Sequence, residues 1–207
     1  MTSGGSPSAR RVRVVLLLCG AGWAAANAVA AVPDDAGKWG IERLMQDLAQ
    51  IKSSRATFIE RKHLGILDAP LQLSGTLVYV APDRLEKHTA APRAESLVLE
   101  RDQLILENRE RNQRRTLALQ DYPVVRAYVE SIRSTLAGDL PTLIRFYEIA
   151  LEGGDRDWRL TLRPRETVMQ EVVREIRISG ERTAIRGIEI LETNGDRSIM
   201  TIKRDGP

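Results

Sequence analysis

The sequence predicts a mainly β, α+β fold: a curled, incomplete antiparallel β-barrel, lidded by amphipathic helices, around an apolar cavity. Three observations predict it. Alternation of apolar and polar residues at a period of two recurs from residue 56 to residue 203, punctuated by turn signals. One amphipathic helix precedes this run and a second helical segment interrupts it. About ten strands result, near the size at which an open antiparallel sheet curls and makes one face concave.

The first helix is read from Ile41, Leu44, Met45, Leu48 and Ile51, which recur at three- and four-residue steps and make one apolar face. Lys52, Ser53 and Ser54 end it. Ala56, Phe58 and Lys62 then alternate with Thr57, Ile59 and Arg61, and Leu71, Leu73, Gly75, Leu77 and Tyr79 alternate with Gln72, Ser74, Thr76 and Val78. Such alternation marks antiparallel strands with one drier face. Pro82-Asp83 is a turn, and residues 85–89, 95–100, 103–108 and 113–119 continue the meander across polar turns. Helical spacing returns at Val125, Tyr128, Val129, Ile132 and Leu136. Gly138 suits the C-terminal cap, and Asp139 before Leu140-Pro141 starts a short helix that includes Leu143. Strands resume at 146–152 and 158–163 around Gly153-Gly154-Asp155, and at 185–193 and 198–203 around Asn194-Gly195, the strongest hairpin signal in the chain. Residues 168–178 fit either a helix or a strand; a loop followed by a strand is the favoured reading.

Residues 1–30 read as an export signal. Arg10, Arg11 and Arg13 precede an apolar run from residue 14 to 19, and Ala28 and Ala30 supply the small-residue pattern of a cleavage site, with the cut expected after Ala30. The run is too short to span a bilayer as a helix. Cys19, the single cysteine, falls in this segment and follows Leu18, where lipid attachment needs a small residue. The general export route is expected, with the Arg10-Arg11 pair leaving the twin-arginine route open. The destination is the periplasm, and the mature chain, 31–207, is expected to be one domain.

Removal of the signal takes away three arginines and no acid, so the net charge of +3 falls to zero. A nucleic-acid partner gains no support from a neutral chain. Catalytic chemistry is equally thin. The histidines His63 and His88 follow different strands, no cluster has metal-ligand spacing, and no strained serine turn occurs. Acid pairs such as Asp155 and Asp157 sit at polar turns. The reading is therefore no enzyme, no cofactor and no metal. Apolar residues carry more information: an inner surface paved chiefly by Leu, Ile and Val either fills itself or holds one apolar ligand.

The segment 75–86, Gly-Thr-Leu-Val-Tyr-Val-Ala-Pro-Asp-Arg-Leu-Glu, resembles the glycine, strand, proline-turn, strand core of the periplasmic outer-membrane lipoprotein carrier (LolA-like) family. The resemblance runs in order through the strand carrying Ala56, Thr57 and Phe58, the stretch 136–143, the strand 158–164 ending in Leu-Arg-Pro, and the closing hairpin at 187–190 and 196–200. It implies a half-barrel whose hollow takes acyl chains of a lipoprotein or glycolipid between an inner-membrane donor and an outer-membrane acceptor, as a monomer. The family's carriers place an arginine before the turn proline, where it latches the lid; here that position is Ala81, so a divergent member is implied.

Cavity residues expected on this reading are Phe58, Leu73, Leu77, Tyr79, Leu85, Leu97, Leu99 and Ile105 from the first run of strands. The second run supplies Phe146, Trp158, Leu160, Leu162, Ile188 and Ile190. The lid is expected to present Val125, Tyr128, Val129, Ile132, Leu136, Leu140 and Leu143. A lipid- or lipoprotein-sensing module that transports nothing is the alternative use of the same hollow, and an enzyme on an unrecognised acid–base pair is the third.

Overall fold

A computed structural model describes residues 39–108 and 110–205. The expected export signal lies outside the described residues. Among the described residues, eleven strands form a single antiparallel sheet that does not close. The first meander comprises β1 (Ser53–His63), β2 (Leu71–Val80), β3 (Arg84–Ala91), β4 (Glu95–Glu100), β5 (Gln103–Asn108) and β6 (Gln113–Ala118). The second comprises β7 (Tyr147–Gly154), β8 (Asp157–Pro164), β9 (Val173–Glu181), β10 (Ala184–Glu192) and β11 (Arg197–Arg204). Helices are α1 (Ile41–Leu48), α2 (Pro123–Ala137), α3 (Leu140–Phe146) and the short α4 (Thr167–Gln170), with one 3₁₀ turn at Leu119–Asp121.

The two meanders join where β1 pairs with β11, giving the order β6-β5-β4-β3-β2-β1-β11-β10-β9-β8-β7. The strands consecutive across the helical segment, β6 and β7, are therefore the two opposite edges. Side-chain alternation fixes the concave face. One row across the sheet runs Leu160, Ile178, Ile188, Met200, Glu60, and the next runs Leu162, Ile176, Ile190, Ser198, Lys62. Along β1, Ala56, Phe58 and Glu60 are buried while Thr57, Ile59 and Arg61 are exposed.

Half of the concave face is filled. Leu44, Met45 and Leu48 of α1, Ala127 of α2, and Leu143 and Phe146 of α3 pack with Tyr147, Trp158, Leu160, Leu162, Ile176 and Ile178. Small residues on one side of α2, namely Ala127, Ser131, Ser134 and Thr135, are buried, which permits close packing against α1 and α3. Their hydroxyls bond within the helix: Ser131 Oγ donates to the Tyr128 carbonyl at 2.7 Å and Thr135 Oγ1 to the Ser131 carbonyl at 2.6 Å. The Tyr147 hydroxyl donates to the Ala127 carbonyl at 2.7 Å, tying α2 to the edge strand β7. Burial pushes that phenol's pKa up.

Gly138 ends α2 in the left-handed region at φ 68°, and a Cβ there would lie 2.2 Å from the Met45 carbonyl oxygen. Only glycine meets both demands. At the β10–β11 turn the Asn194 side chain accepts from the Asp196 N–H at 2.9 Å, and Gly195 adopts φ 93°, as the Asn-Gly signal predicts.

Several boundaries differ from the sequence reading by a residue or two, Leu119 for example opening a 3₁₀ turn rather than closing β6, and three differences have a clear physical cause. Phe146 closes α3 rather than opening β7, because its ring packs into the helical core. Residues 168–178 resolve into α4 followed by β9: one turn buries Met169, after which the β-branched residues pair with β8 and β10. The first helix stops at Leu48, since Ser53 already pairs with Val80.

Gly75 of the 75–86 motif has a steric explanation. A Cβ would lie 1.9 Å from the His88 main-chain oxygen and 3.0 Å from the Phe58 ring, at a bulge between β2 and β3. Because backbone is what it meets, Gly75→Ala is expected to destabilise the fold by about 3 kcal/mol, the upper range for overpacking. Urea unfolding tests this, and a loss under about 1 kcal/mol would show that the bulge absorbs the methyl group.

Candidate functional site

The unfilled half of the concave face is a cavity of about 520 Å³, within the roughly 300–1,000 Å³ range of small-molecule sites. Leu77, Tyr79, Leu85, Leu97 and Leu99 form one wall, and Ile185, Ile188, Ile190, Met200 and Ile202 form the other. Tyr128, Val129, Ile132 and Leu136 of α2 roof it, and Leu48 and Ile51 close one end. Glu60, Lys62, Lys87 and Ser198 stand toward the opposite end of β1.

Of the residues expected at the cavity, the structure brings Leu77, Tyr79, Leu85, Leu97, Leu99, Ile188 and Ile190 together on its wall, under Tyr128, Val129, Ile132 and Leu136. The others sit elsewhere. Trp158, Leu160, Leu162 and Phe146 belong to the filled core, as do Leu140 and Leu143, because α1 and α3 cover that half of the sheet. Phe58 packs with Ala56, Ile202 and Leu73 below the wall. Val125 packs on Leu99, Leu104 and Leu119. Ile105 is in register with Val98 and Glu86, the opposite alternation from Leu85 and Leu99; Leu104 and Leu106 carry the inner face of β5.

The sequence reading missed the polar end. Glu60 is 4% exposed, accepts a hydrogen bond from Lys87 Nζ, and accepts another from Ser198 Oγ at 2.7 Å. Lys62 Nζ is 3.7 Å from the same carboxylate, and the Lys87 ammonium stands 5.0 Å above the centre of the Phe58 ring. Burial pushes the Glu60 pKa up, but the charges of Lys87 and Lys62 and the bonds from Lys87 and Ser198 outweigh it, holding the carboxyl below its ordinary value. The signal was present in the period-two pattern, which sets Glu60 beside Ala56, Phe58 and Lys62. The Tyr79 hydroxyl is buried on the cavity wall without a hydrogen-bond partner among the described residues. Burial, and then the charge of Asp83, push its pKa up. Tyr128 is pushed up to about 12 by burial and then by Glu192.

The lid has a polar tie at a place the sequence does not announce. Arg133 of α2 pairs with the buried Glu130, through Nε to Oε2 at 3.2 Å and through Nη2 to Oε1. Its Nη1 donates to the main-chain oxygen of Arg101 at 2.8 Å, in the β4–β5 turn. Ala81, where the resemblance placed an arginine latch, instead donates its N–H to the Lys52 carbonyl at 2.9 Å. Elsewhere, His88 Nε2 lies 2.7 Å from Glu86 Oε2. Among the described residues no group of three or more His, Cys, Asp or Glu could hold a metal ion, and no helix is long and apolar enough to cross a membrane.

A half-barrel with a helical roof over an apolar cavity is accompanied by a family match. The sequence profile described as outer membrane lipoprotein carrier protein LolA-like matches residues 28–202. The chain belongs to this LolA-like family. Solved structures that the chain matches include the LolA superfamily protein NE2245 from Nitrosomonas europaea, with 10% identity, 81% of this chain and 94% of that one covered, and a TM-score of 0.42. A chain of the Pseudomonas aeruginosa MucA/MucB complex matches with 15% identity over 78% of this chain and 55% of that chain, at a TM-score of 0.44. LprF from Mycobacterium bovis matches with 8% identity over 83% of this chain and 96% of that chain, at 0.36. No curated protein matches the chain in sequence.

Three outcomes follow from this LolA-like site. Leu77→Asp, on the cavity wall, is expected to abolish uptake of a fluorescent fatty acid or to prevent folding, whereas Thr76→Asp, in the opposite alternation, does neither; equal effects would mean the faces are misassigned. Replacing Arg133 by Met together with Glu130 by Gln leaves no stranded charge, and is expected to speed hydrogen exchange in α2 about 10-fold or more while β1 and β2 stay protected. Unchanged exchange in α2 would show that apolar packing alone holds the roof. Glu60 has a lowered folded pKa, so its contribution to stability is fully present above the unfolded carboxylate value and is lost as pH falls through the folded value. Urea midpoints compared above and below pH about 4.3 should therefore fall less on acidification in Glu60→Gln than in the parent.

Proposed function

We propose that this LolA-like chain is a periplasmic carrier that shields acyl chains of a lipoprotein or lipid during transfer toward the outer membrane. The observation that carries this reading is the amphipathic roof over an unfilled apolar cavity, where a compact sheet of this size could have filled itself entirely. Membership in the lipoprotein-carrier family supports the same reading. Burying an acyl chain gains about 0.8 kcal/mol per methylene, so ten methylenes supply roughly 8 kcal/mol before ordering costs.

On this proposal the mature chain, 31–207, works as a single domain and a monomer. Residues 1–30 direct export and are cleaved near Ala30. The acyl chain lies against Leu77, Tyr79, Leu85, Leu97, Leu99, Ile188 and Ile190, and enters when α2 moves from its position above them. No catalytic step is required, and the double change His63→Ala with His88→Ala is expected to leave uptake and transfer intact.

Organic extracts of the protein purified from periplasm, read by mass spectrometry, are expected to contain an acylated species in stoichiometric amount. The delipidated protein should then take up a fluorescent fatty acid. Folded protein that yields no acylated species and takes up no probe would overturn the reading.

A further inference from the structure

We propose that Lys62 and Lys87 form a head-group subsite at the polar end of the cavity, selecting acyl amphiphiles that carry an anionic oxygen head, a carboxylate or a phosphate. The inference rests on the acyl-binding reading above and goes on to name the chemistry of the cargo.

The cavity is divided along its length. Toward α1 its wall and roof are mainly apolar, from Leu48 and Ile51 to Ile132 and Leu136, with Ser54 and Arg204 beside them. Toward the far end of β1, Glu60, Lys62 and Lys87 cluster on the wall; of the other charged residues lining the cavity, Glu86 pairs with Arg84, Glu192 ends β10, and Arg204 is in register with Ala56 toward α1. Two cations face the single carboxylate of Glu60 in this cluster. Lys87 is engaged, bonded to Glu60 and placed over Phe58. Lys62 is not: at 3.7 Å from Glu60 it lies beyond hydrogen-bond reach, and it makes no other ion pair among the described residues. Glu60 is held fixed by Lys87 and Ser198. It therefore anchors the lysines and leaves Lys62 with donors to offer. A bare structural ion pair would need one lysine; the second brings further ammonium donors to an acyl-sized site.

An amphiphile laid along the cavity with its tail under Ile132 and Leu136 brings its head to these donors. An anionic oxygen there accepts from Lys62 and pairs with its ammonium charge. An uncharged head of the same chain length gains neither.

Calorimetric titration of the delipidated mature protein with dodecanoate, dodecyl phosphate and dodecanol, with sodium phosphate as the tail-free arm, tests this. Dodecanoate or dodecyl phosphate should bind at least about 10-fold more tightly than dodecanol, the lower end expected for a hydrogen bond to a charged group, and whichever binds tighter assigns the head. Sodium phosphate alone should not bind. Lys62→Met should remove most of the preference for the anionic heads over dodecanol, with dodecanol still bound by folded protein. Glu60→Gln should act in the opposite sense, strengthening anion binding by releasing both lysines. Equal binding of all three amphiphiles overturns the subsite but leaves the acyl cavity standing, and binding of none overturns both. A preference that survives Lys62→Met, anion binding weakened by Glu60→Gln in folded protein, or sodium phosphate binding as tightly as dodecyl phosphate also overturns it.

Discussion

The architecture depends on one topological constraint: β6 and β7 follow one another in the chain but occupy opposite edges of the sheet. The segment between them has to travel from one edge to the other, and the concave side is where its apolar residues can be buried. A roof over the hollow is therefore what the connectivity demands. Tyr147, the first residue of β7, fixes the arriving end through its bond to the Ala127 carbonyl, and Leu119 packs the departing end against Leu99 and Leu104.

How much of the hollow remains open follows from where other helices land. α1 and α3 cover β7 to β9, so Trp158, Leu160 and Leu162 become ordinary core. α2 alone covers the middle of the sheet. One helix, with one stripe of Tyr128, Val129, Ile132 and Leu136, is too little apolar volume to fill that space. The other side of α2 is spent on small residues packed toward α1 and α3. The same helix thus bounds a solid core on one side and a cavity on the other.

The sheet was legible because its strands alternate, and β1 to β4 came out with their inner faces correctly assigned. Alternation failed at Leu104-Ile105-Leu106, where three apolar residues in succession hide the phase and Ile105 was placed inward. The filled half of the concave face was not legible at all. Trp158 and Leu160 point to the same face as Ile188, and nothing local says that α1 and α3 will cover them. Phe146 fits a strand as well as a helix end, and its place is decided by the core. The pairing of Arg133 with the Arg101 carbonyl joins residues on separate elements through a main-chain acceptor, which leaves no trace in composition or spacing. Glu60 and Lys62 could have been read from their phase, but a charged pair on an apolar face is easily dismissed as the rim of a strand.

Arg101 and Arg182 both hold their backbones in the left-handed region, at φ 55° and 50°, where a side chain is mildly disfavoured. In each turn the carbonyl of that residue is captured from a distance, by Arg133 in one case and by the Trp158 indole N–H at 2.8 Å in the other. Because the acceptor is main chain, the side chain at 101 is free to drift among residues that tolerate this backbone, glycine included, without loosening the roof. The donor at 133 has no such freedom. The tie is thus encoded on one partner only, and a survey of exchanges along the sheet would pass over it while a single exchange on the helix would reveal it.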